Sequence, residues 1–509
     1  MRESESSVYF NRIIKTSAFV LILVMLSKVL GYAYKIIIAR HFNAEVYGLF
    51  SLSMIVISIA VSLASVGLFE GLVRQISIYR GQKDEKAIKY LAHASKNFFI
   101  ISGFILFGIT FLSAPWISIN IFHEPRLIVF LRIMALAIPF VLITNMFLSI
   151  LRAYEKIKTQ SIITNIIQNS SKFFILLLFI FIGLNTVSVP LSYLFACLVM
   201  AIVSWFYARK ILNKIRNTKE EARPYRELLT NVMSYSWPLM FVGVLTSIFY
   251  WTDSLIIGYY MGVGNVGIYN VAITLVAFLG IVPELFIQLL FPVAARNLSN
   301  NKDNLVNPLI KRVAKWILFI NSLIAIICFF FAPQIISLLF GNEFASASSL
   351  LRILAVGALF TTLASYFTNL LTVVGKTKTI LGNLIMVATI NALLDLIAIP
   401  VWGMVGAAIA TSVSGFILFL ITLYQIKKFY SVSPINEKAL LVLFEALIIF
   451  LIAFLFLKDY SFIIGSIVVL SIIIIYIFSL IMIRFFDYED YSLFNKIIRK
   501  ILFIHSKSI

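Results

Sequence analysis

The chain has 509 residues, 61% of them hydrophobic and 13% charged, with 46 Phe and a mean hydropathy of +1.00. Soluble domains are about half apolar and about a quarter charged, so compact aqueous cores would not hide this much apolar surface. A soluble enzyme, a nucleic-acid binder and a disordered chain are excluded. So is a transmembrane β-barrel, whose strands alternate with period two where this chain has long unbroken apolar runs. An all-α polytopic membrane protein is the remaining class. The formal charge of +20, from 42 Lys and Arg against 22 Asp and Glu, then reads as cytoplasmic loops rather than nucleic-acid binding.

Hydropathy predicts fourteen transmembrane spans in chain order: 13–39, 46–69, 97–119, 127–151, 161–183, 187–208, 233–261, 266–292, 313–339, 350–374, 379–400, 403–426, 439–457 and 461–484. The first run, Ile13 to Ala39, is too long for a signal-peptide core and lacks a small-residue cleavage site. One set of alternate loops, with both termini, holds 34 of the 42 cations. The opposite set holds Arg40, Arg126 and Lys458. This asymmetry predicts both termini on the cytoplasmic side, and the high Ile, Lys and Phe content fits an AT-rich prokaryote, whose plasma membrane is the expected location. The longest loop, 209–232, is cationic and too short to fold alone. Cys197 and Cys328 sit in apolar runs, and no spacing suggests a disulfide framework or a metal site.

The chain repeats itself at an offset of 218–220 residues. Ala114-Pro115-x-Ile117-x4-Phe122 recurs as Ala332-Pro333-x-Ile335-x4-Phe340. Leu131-Arg132-Ile133-x-Ala135 recurs as Leu351-Arg352-Ile353-x-Ala355, and Lys156-x-Lys158-Thr159 as Lys376-x-Lys378-Thr379. The apolar pattern of Ile37 to Gly48 returns over Ile256 to Gly267. Six spans per copy is an even number, so both copies face the same way. The expected architecture is two parallel six-helix repeats around a central cavity, plus two C-terminal helices. Its parts are a cytoplasmic N-terminus at 1–12, an N-lobe at 13–208, a linker at 209–232, a C-lobe at 233–426, a final helix pair at 427–484 and a cytoplasmic tail at 485–509.

Ionisable groups inside the bilayer are costly, about 2.5–3.5 kcal/mol each on insertion scales, and mark candidate sites. At ~1.5 Å per residue, Lys28 and Lys172 lie about 16 Å from their span ends, near the midplane. Lys35 shares a helix face with Lys28 but sits close enough to the outer end to snorkel. Arg132 is about 9 Å deep, and its repeat partner Arg352 is shallower, where it also fits an interfacial anchor. The second half carries Asp253, Glu284, Asp395 and Glu445 instead. A cationic first lobe suits an anionic substrate, since Lys offers a compact charge and Arg a bidentate fork to phosphate. The acidic set fits a coupling or gating role, with Na⁺ or H⁺ as the ion, or salt bridges to the cations; Glu284, Asp395 and Glu445 also fit interfacial helix ends. Pro139, Pro283 and Gly280 interrupt their spans and permit bending. The four His are unclustered and no phosphate-binding loop is present, so neither an enzyme nor an ATP-driven pump is expected.

Several motifs resemble Wzx-type oligosaccharide flippases, within the multidrug/oligosaccharidyl-lipid/polysaccharide exporter superfamily. They are Ser27-Lys28-Val29-Leu30-Gly31, Ile38-Ala39-Arg40 with Tyr47-Gly48-Leu49-Phe50, Asp253 to Gly258 with Val266-Gly267-Ile268-Tyr269, and Gly403-x-x-Gly406-Ala407-Ala408-x-Ala410-Thr411. The resemblance implies translocation of a lipid-linked oligosaccharide, on a polyprenyl phosphate or diphosphate, from inner to outer leaflet by alternating access. It implies no cofactor. It implies membrane lipid as surroundings, other polysaccharide-assembly proteins as candidate partners, and no nucleic acid. In this family the helices at 439–484 would line a groove for the lipid tail. A cation-coupled multidrug or small-molecule exporter and a lipid II flippase are the alternatives. Lys28 falls where lipid II flippases carry an arginine, but their second arginine aligns with Tyr34, one place before Lys35.

Overall fold

The computed structural model describes residues 23–214, 225–287, 303–373, 375–430, 437–456, 462–482 and 485. The N-terminus expected at 1–12, the start of the first span, residues 215–224 of the 209–232 linker and the tail after 485 lie outside the described residues. All regular structure in the described residues is helical. Among the described residues nine helices are long and apolar enough to cross a membrane, or up to eleven if two bent pairs each count as one span. Two shorter apolar helices, Leu441–Ile452 and Val469–Met482, follow.

In order the helices are α1 (23–41), α2 (Ala44–Ser65), α3 (Leu68–Gly81), α4 (Glu85–Trp116), α5 (Leu127–Ala135), α6 (Ala137–Ala153), α7 (Ile157–Ser161), α8 (Gln168–Phe181) and α9 (Ser188–Leu212). Then come α10 (Tyr225–Met261), α11 (Val263–Val276), α12 (281–287), α13 (Asp303–Phe330), α14 (Ala332–Leu339), α15 (Ala347–Val373), α16 (Thr377–Trp402), α17 (Met404–Tyr430), α18 (Glu437–Phe456) and α19 (Phe462–Met482).

Local chemistry sets the breaks. Asn43 caps α2 by accepting from Val46 N at 3.0 Å. Asp84 caps α4 by accepting from Ala87 N at 3.0 Å, so this helix begins twelve residues before the apolar run that marks it in the sequence. Pro139 has no N–H to donate one turn back, and the helix breaks there between α5 and α6. The Gly280 and Pro283 segment likewise separates α11 from α12. Between α7 and α8 the chain widens into a π-helical stretch, Ile162–Ile167, that no Gly or Pro announces.

The chain divides into two compact units. The first comprises Met1–Leu275, Ile336–Leu350 and Thr377–Ser414, and the second comprises the remainder. In the first, α6 and α8 pack on α9, and α10 packs on α2, α3 and α16. The backbones of α2 and α11 approach each other closely. A Cβ on Gly48 would lie 1.9 Å from Val263 O, and one on Gly267 would lie 2.0 Å from Ala44 O. Gly48 and Gly267 are 219 residues apart, as are Ala44 and Val263, so the contact is reciprocal at the offset of the sequence repeat. In the second unit α18 and α19 pack on α13, with Phe450 against Phe329 at 5.1 Å. Ser479 of α19 donates to Glu445 of α18, a partner that anchors this carboxylate between the two helices.

Candidate functional site

α1 brings Lys28 and Lys35 seven residues apart, hence onto one face, and both are half-buried. α8 packs beside it, with Asn169 donating to Ser27 Oγ at 2.7 Å. This places Lys172, one turn further along α8, near enough to Lys35 for their charges to repel. Lys35 donates to Thr274 Oγ1 at 3.1 Å, and Lys172 sits 5.3 Å from the centre of the Tyr193 ring. Among the described residues neither lysine is ion-paired with a carboxylate. Two like charges without a counter-charge form a local potential that an anion would relieve.

Arg132 does not join them in any contact. It stacks on Phe111 at 4.9 Å and is exposed. Arg352 belongs to the second unit and donates from Nε to Phe329 O at 3.1 Å, the bond expected of a helix-anchoring arginine. Glu284 lies half-buried in α12 of that same unit.

The acidic residues of the first unit come together. Asp253 of α10 accepts from Tyr269 of α11, and from Thr411 Oγ1 of α17 at 2.5 Å. Asp395 of α16 is fully buried and faces Asp253 closely enough for the two charges to interact. Carboxylates only accept hydrogen bonds, so this approach leaves both oxygens of Asp395 without a donor. Asn391, one turn earlier on the same face, has an amide nitrogen that is also unpartnered. Two facing carboxylates are stable only with a proton or a cation between them. Among the described residues no group of three or more His, Cys, Asp and Glu is placed to hold a metal ion. Tyr269, Thr411 and Asn391 were not legible as site residues, because hydroxyls and amides in apolar runs carry no charge signal.

A separate ion-pair cluster closes the short loop before α5. Arg126 contacts Glu45 at 2.7 Å and Glu124 at 2.8 and 2.9 Å. The fork of Arg126 holds the Glu124 carboxyl below its ordinary range. A depressed carboxyl contributes stability above its unfolded value, near pH 4.3, and loses it as pH falls through the folded value. Arg126→Ala is therefore expected to lower the melting temperature at pH 7 and to flatten the acid side of the stability profile. Arg126 is exposed, so the effect is small, below about 1 kcal/mol. Thermal unfolding of detergent-purified protein across pH checks it.

The profile described as "Polysaccharide biosynthesis protein" matches residues 13–298, and one described as "MatE" matches 238–397. The "Uncharacterized membrane protein MJ1068" of Methanocaldococcus jannaschii is 25% identical over 97% of this chain and 100% of its own length. The "Probable low-salt glycan biosynthesis flippase Agl15" of Haloferax volcanii is 24% identical over 36% of this chain and 39% of its own. Among solved structures, the lipid II flippase MurJ in an inward closed conformation superposes with a TM-score of 0.70. It shares 20% identity over 91% of this chain and 99% of its own, a likeness of fold.

Proposed function

The chain belongs to the polysaccharide biosynthesis protein family, and from that premise we propose that it flips a lipid-linked oligosaccharide from the inner to the outer leaflet of a prokaryotic plasma membrane. It is a transporter of the multidrug/oligosaccharidyl-lipid/polysaccharide exporter superfamily, and this proposal names its cargo. The observation that carries the proposal is the unneutralised pair Lys35 and Lys172, with Lys28 on the same face as Lys35. In this account the carrier phosphate meets these lysines while the polyprenyl tail stays in lipid. Fourteen spans in two parallel lobes, with both termini cytoplasmic, complete the architecture we assign. A cationic small-molecule cargo would be repelled by that lysine pair. A lipid II cargo is less favoured because Tyr34 stands where the lipid II flippases carry their second arginine.

The coupling step falls to the acidic cluster. A hard cation such as Na⁺ suits oxygen ligands, and Asp253, Asp395 and Thr411 would hold it. The unpartnered oxygens of Asp395 fit that role. Bound there, the ion would neutralise the carboxylates and favour one packing of α10, α16 and α17 over another. A proton shared between the two carboxylates performs the same neutralisation.

Lys28→Ala, Lys35→Ala and Lys172→Ala are each expected to cut export by about tenfold or more, equivalent to ~1.4 kcal/mol of lost transition-state stabilisation. Membrane levels should stay at those of the native protein. Mass spectrometry of polyprenyl-linked saccharides in cells depleted of the native protein tests the function itself. A completed oligosaccharide-lipid should accumulate, and each variant should fail to clear it. Normal surface glycans without any accumulation would remove the oligosaccharide from the account.

A further inference from the structure

We propose that the first compact unit binds an anionic phospholipid at a site formed by α4, α6 and α9, apart from the groups assigned to transport. A cavity of about 840 Å³ opens where these helices carry their basic ends, lined by Lys89, His93, Lys96, Phe147, Trp205 and Arg209, among others. A second cavity of about 310 Å³ shares Lys96, Phe147 and Trp205 and is otherwise wholly apolar.

The helical spacing explains the pairing. On α4, Lys89, His93, Lys96 and Ile100 follow at steps of four, three and four, which is one face. On α9, Leu198, Ile202, Trp205 and Arg209 follow at the same steps. α4 runs inward from its basic end and α9 runs outward to its own, so cations meet cations and aliphatics meet aliphatics. α6 adds Phe140, Ile143 and Phe147 to the apolar part. Trp205 lies at the junction with Arg209 stacked on it at 5.0 Å, the belt position that aromatic rings take at a membrane interface.

Neither cavity is lined by a carboxylate. From Lys89 to Ile100 the face spans about 16 Å, enough for a headgroup and the first part of an acyl chain. A free anion would account for the cationic cavity alone. The apolar continuation calls for a chain attached to the anion, and the basic loops place the site at the cytoplasmic leaflet.

The test is lipid binding by native mass spectrometry of the full chain, so its result does not depend on any transport assay. Probes are dioleoylphosphatidylglycerol, dioleoylphosphatidylcholine and glycerol phosphate. The native protein should hold phosphatidylglycerol at least tenfold more tightly than phosphatidylcholine. The double variant Lys96→Gln/Arg209→Gln should lose that preference. Ile202→Trp, an exposed position compatible with folding, should weaken both lipids by crowding the chain groove. Lys96→Gln alone serves as the milder charge test and should lower the preference several-fold. Equal binding of the two lipids, an undiminished preference in the charge variants, or competition by glycerol phosphate at the lipid's own concentration would each overturn the proposal.

Discussion

Asp395→Asn is expected to abolish export while the protein still folds and reaches the membrane at native levels. Asp395 is fully buried, and neither of its oxygens receives a hydrogen bond. An ionised carboxylate so placed costs several kcal/mol unless something neutralises it, and Asp253 opposite makes matters worse. A proton or a cation held between the two carboxylates would relieve that cost. Replacing the carboxylate by an isosteric amide removes the repulsion, so the melting temperature should hold or rise. It also removes half of the charge that would attract a coupling cation, so the transport cycle should stall. Asp253→Asn should impair export as well, with less gain in stability, because Tyr269 and Thr411 donate to Asp253 and lose a charged acceptor. Export in complemented cells, read beside thermal unfolding of the purified variants, separates the two effects. Native export by Asp395→Asn would reduce the carboxylate pair to a structural feature. Loss of the folded protein would mean that the pair supports the fold rather than the cycle.

The second large effect is structural. Gly48→Ala and Gly267→Ala should each destabilise the protein by about 1–3 kcal/mol. Each new methyl would stand about 2 Å from a backbone carbonyl oxygen, where ordinary contact begins near 3.4 Å. Backbone cannot swing aside as a side chain can, so α2 and α11 must part. That cost exceeds the gain of ~0.5–1 kcal/mol that alanine brings to a helix interior. One separation admits both methyls, so the double variant should cost clearly less than the sum of the singles. Gly382→Ala in α16 is the control: nothing lies within 4 Å of its added methyl, and it should be neutral or stabilising. Thermal unfolding in one detergent compares the four proteins. Gly48→Ala as stable as Gly382→Ala would contradict the close approach.

Much of this was legible before the structure. Apolar runs fall on helices because a bilayer leaves no other way to satisfy the backbone. Pro139 predicts the break between α5 and α6. The repeat aligns Ile37–Gly48 with Ile256–Gly267, and the structure puts the two glycines against each other's helices. The charge pattern of α1 marks Lys28 and Lys35, and Lys172 at midplane depth joins Lys35. What pattern alone does not reveal is which distant helices meet. Asp253 and Asp395 read as separate carboxylates, one deep and one near a helix end, since nothing in the 141 intervening residues says that α10 and α16 touch. Tyr269 and Thr411 lie in motifs shared with the flippases, yet only packing shows that both reach one carboxylate. Arg132, shallower than Lys28 and Lys172, also reads as a cavity cation, yet it stacks on Phe111. The π-helical stretch at 162–167 leaves no trace in composition.

The central claim is that this chain moves an anionic lipid-linked sugar between leaflets. The most direct measurement uses proteoliposomes holding the purified protein and a fluorescent polyprenyl diphosphate oligosaccharide, with a membrane-impermeant quencher added outside. With a Na⁺ gradient, a proton gradient or a membrane potential imposed, the protected fraction should fall well below the half expected for a static bilayer. The Lys28→Ala, Lys35→Ala and Lys172→Ala proteins should leave it at half. A protected fraction that stays at half with native protein under every one of these driving forces, while a cationic dye is expelled, would contradict the account and turn it toward small-molecule efflux.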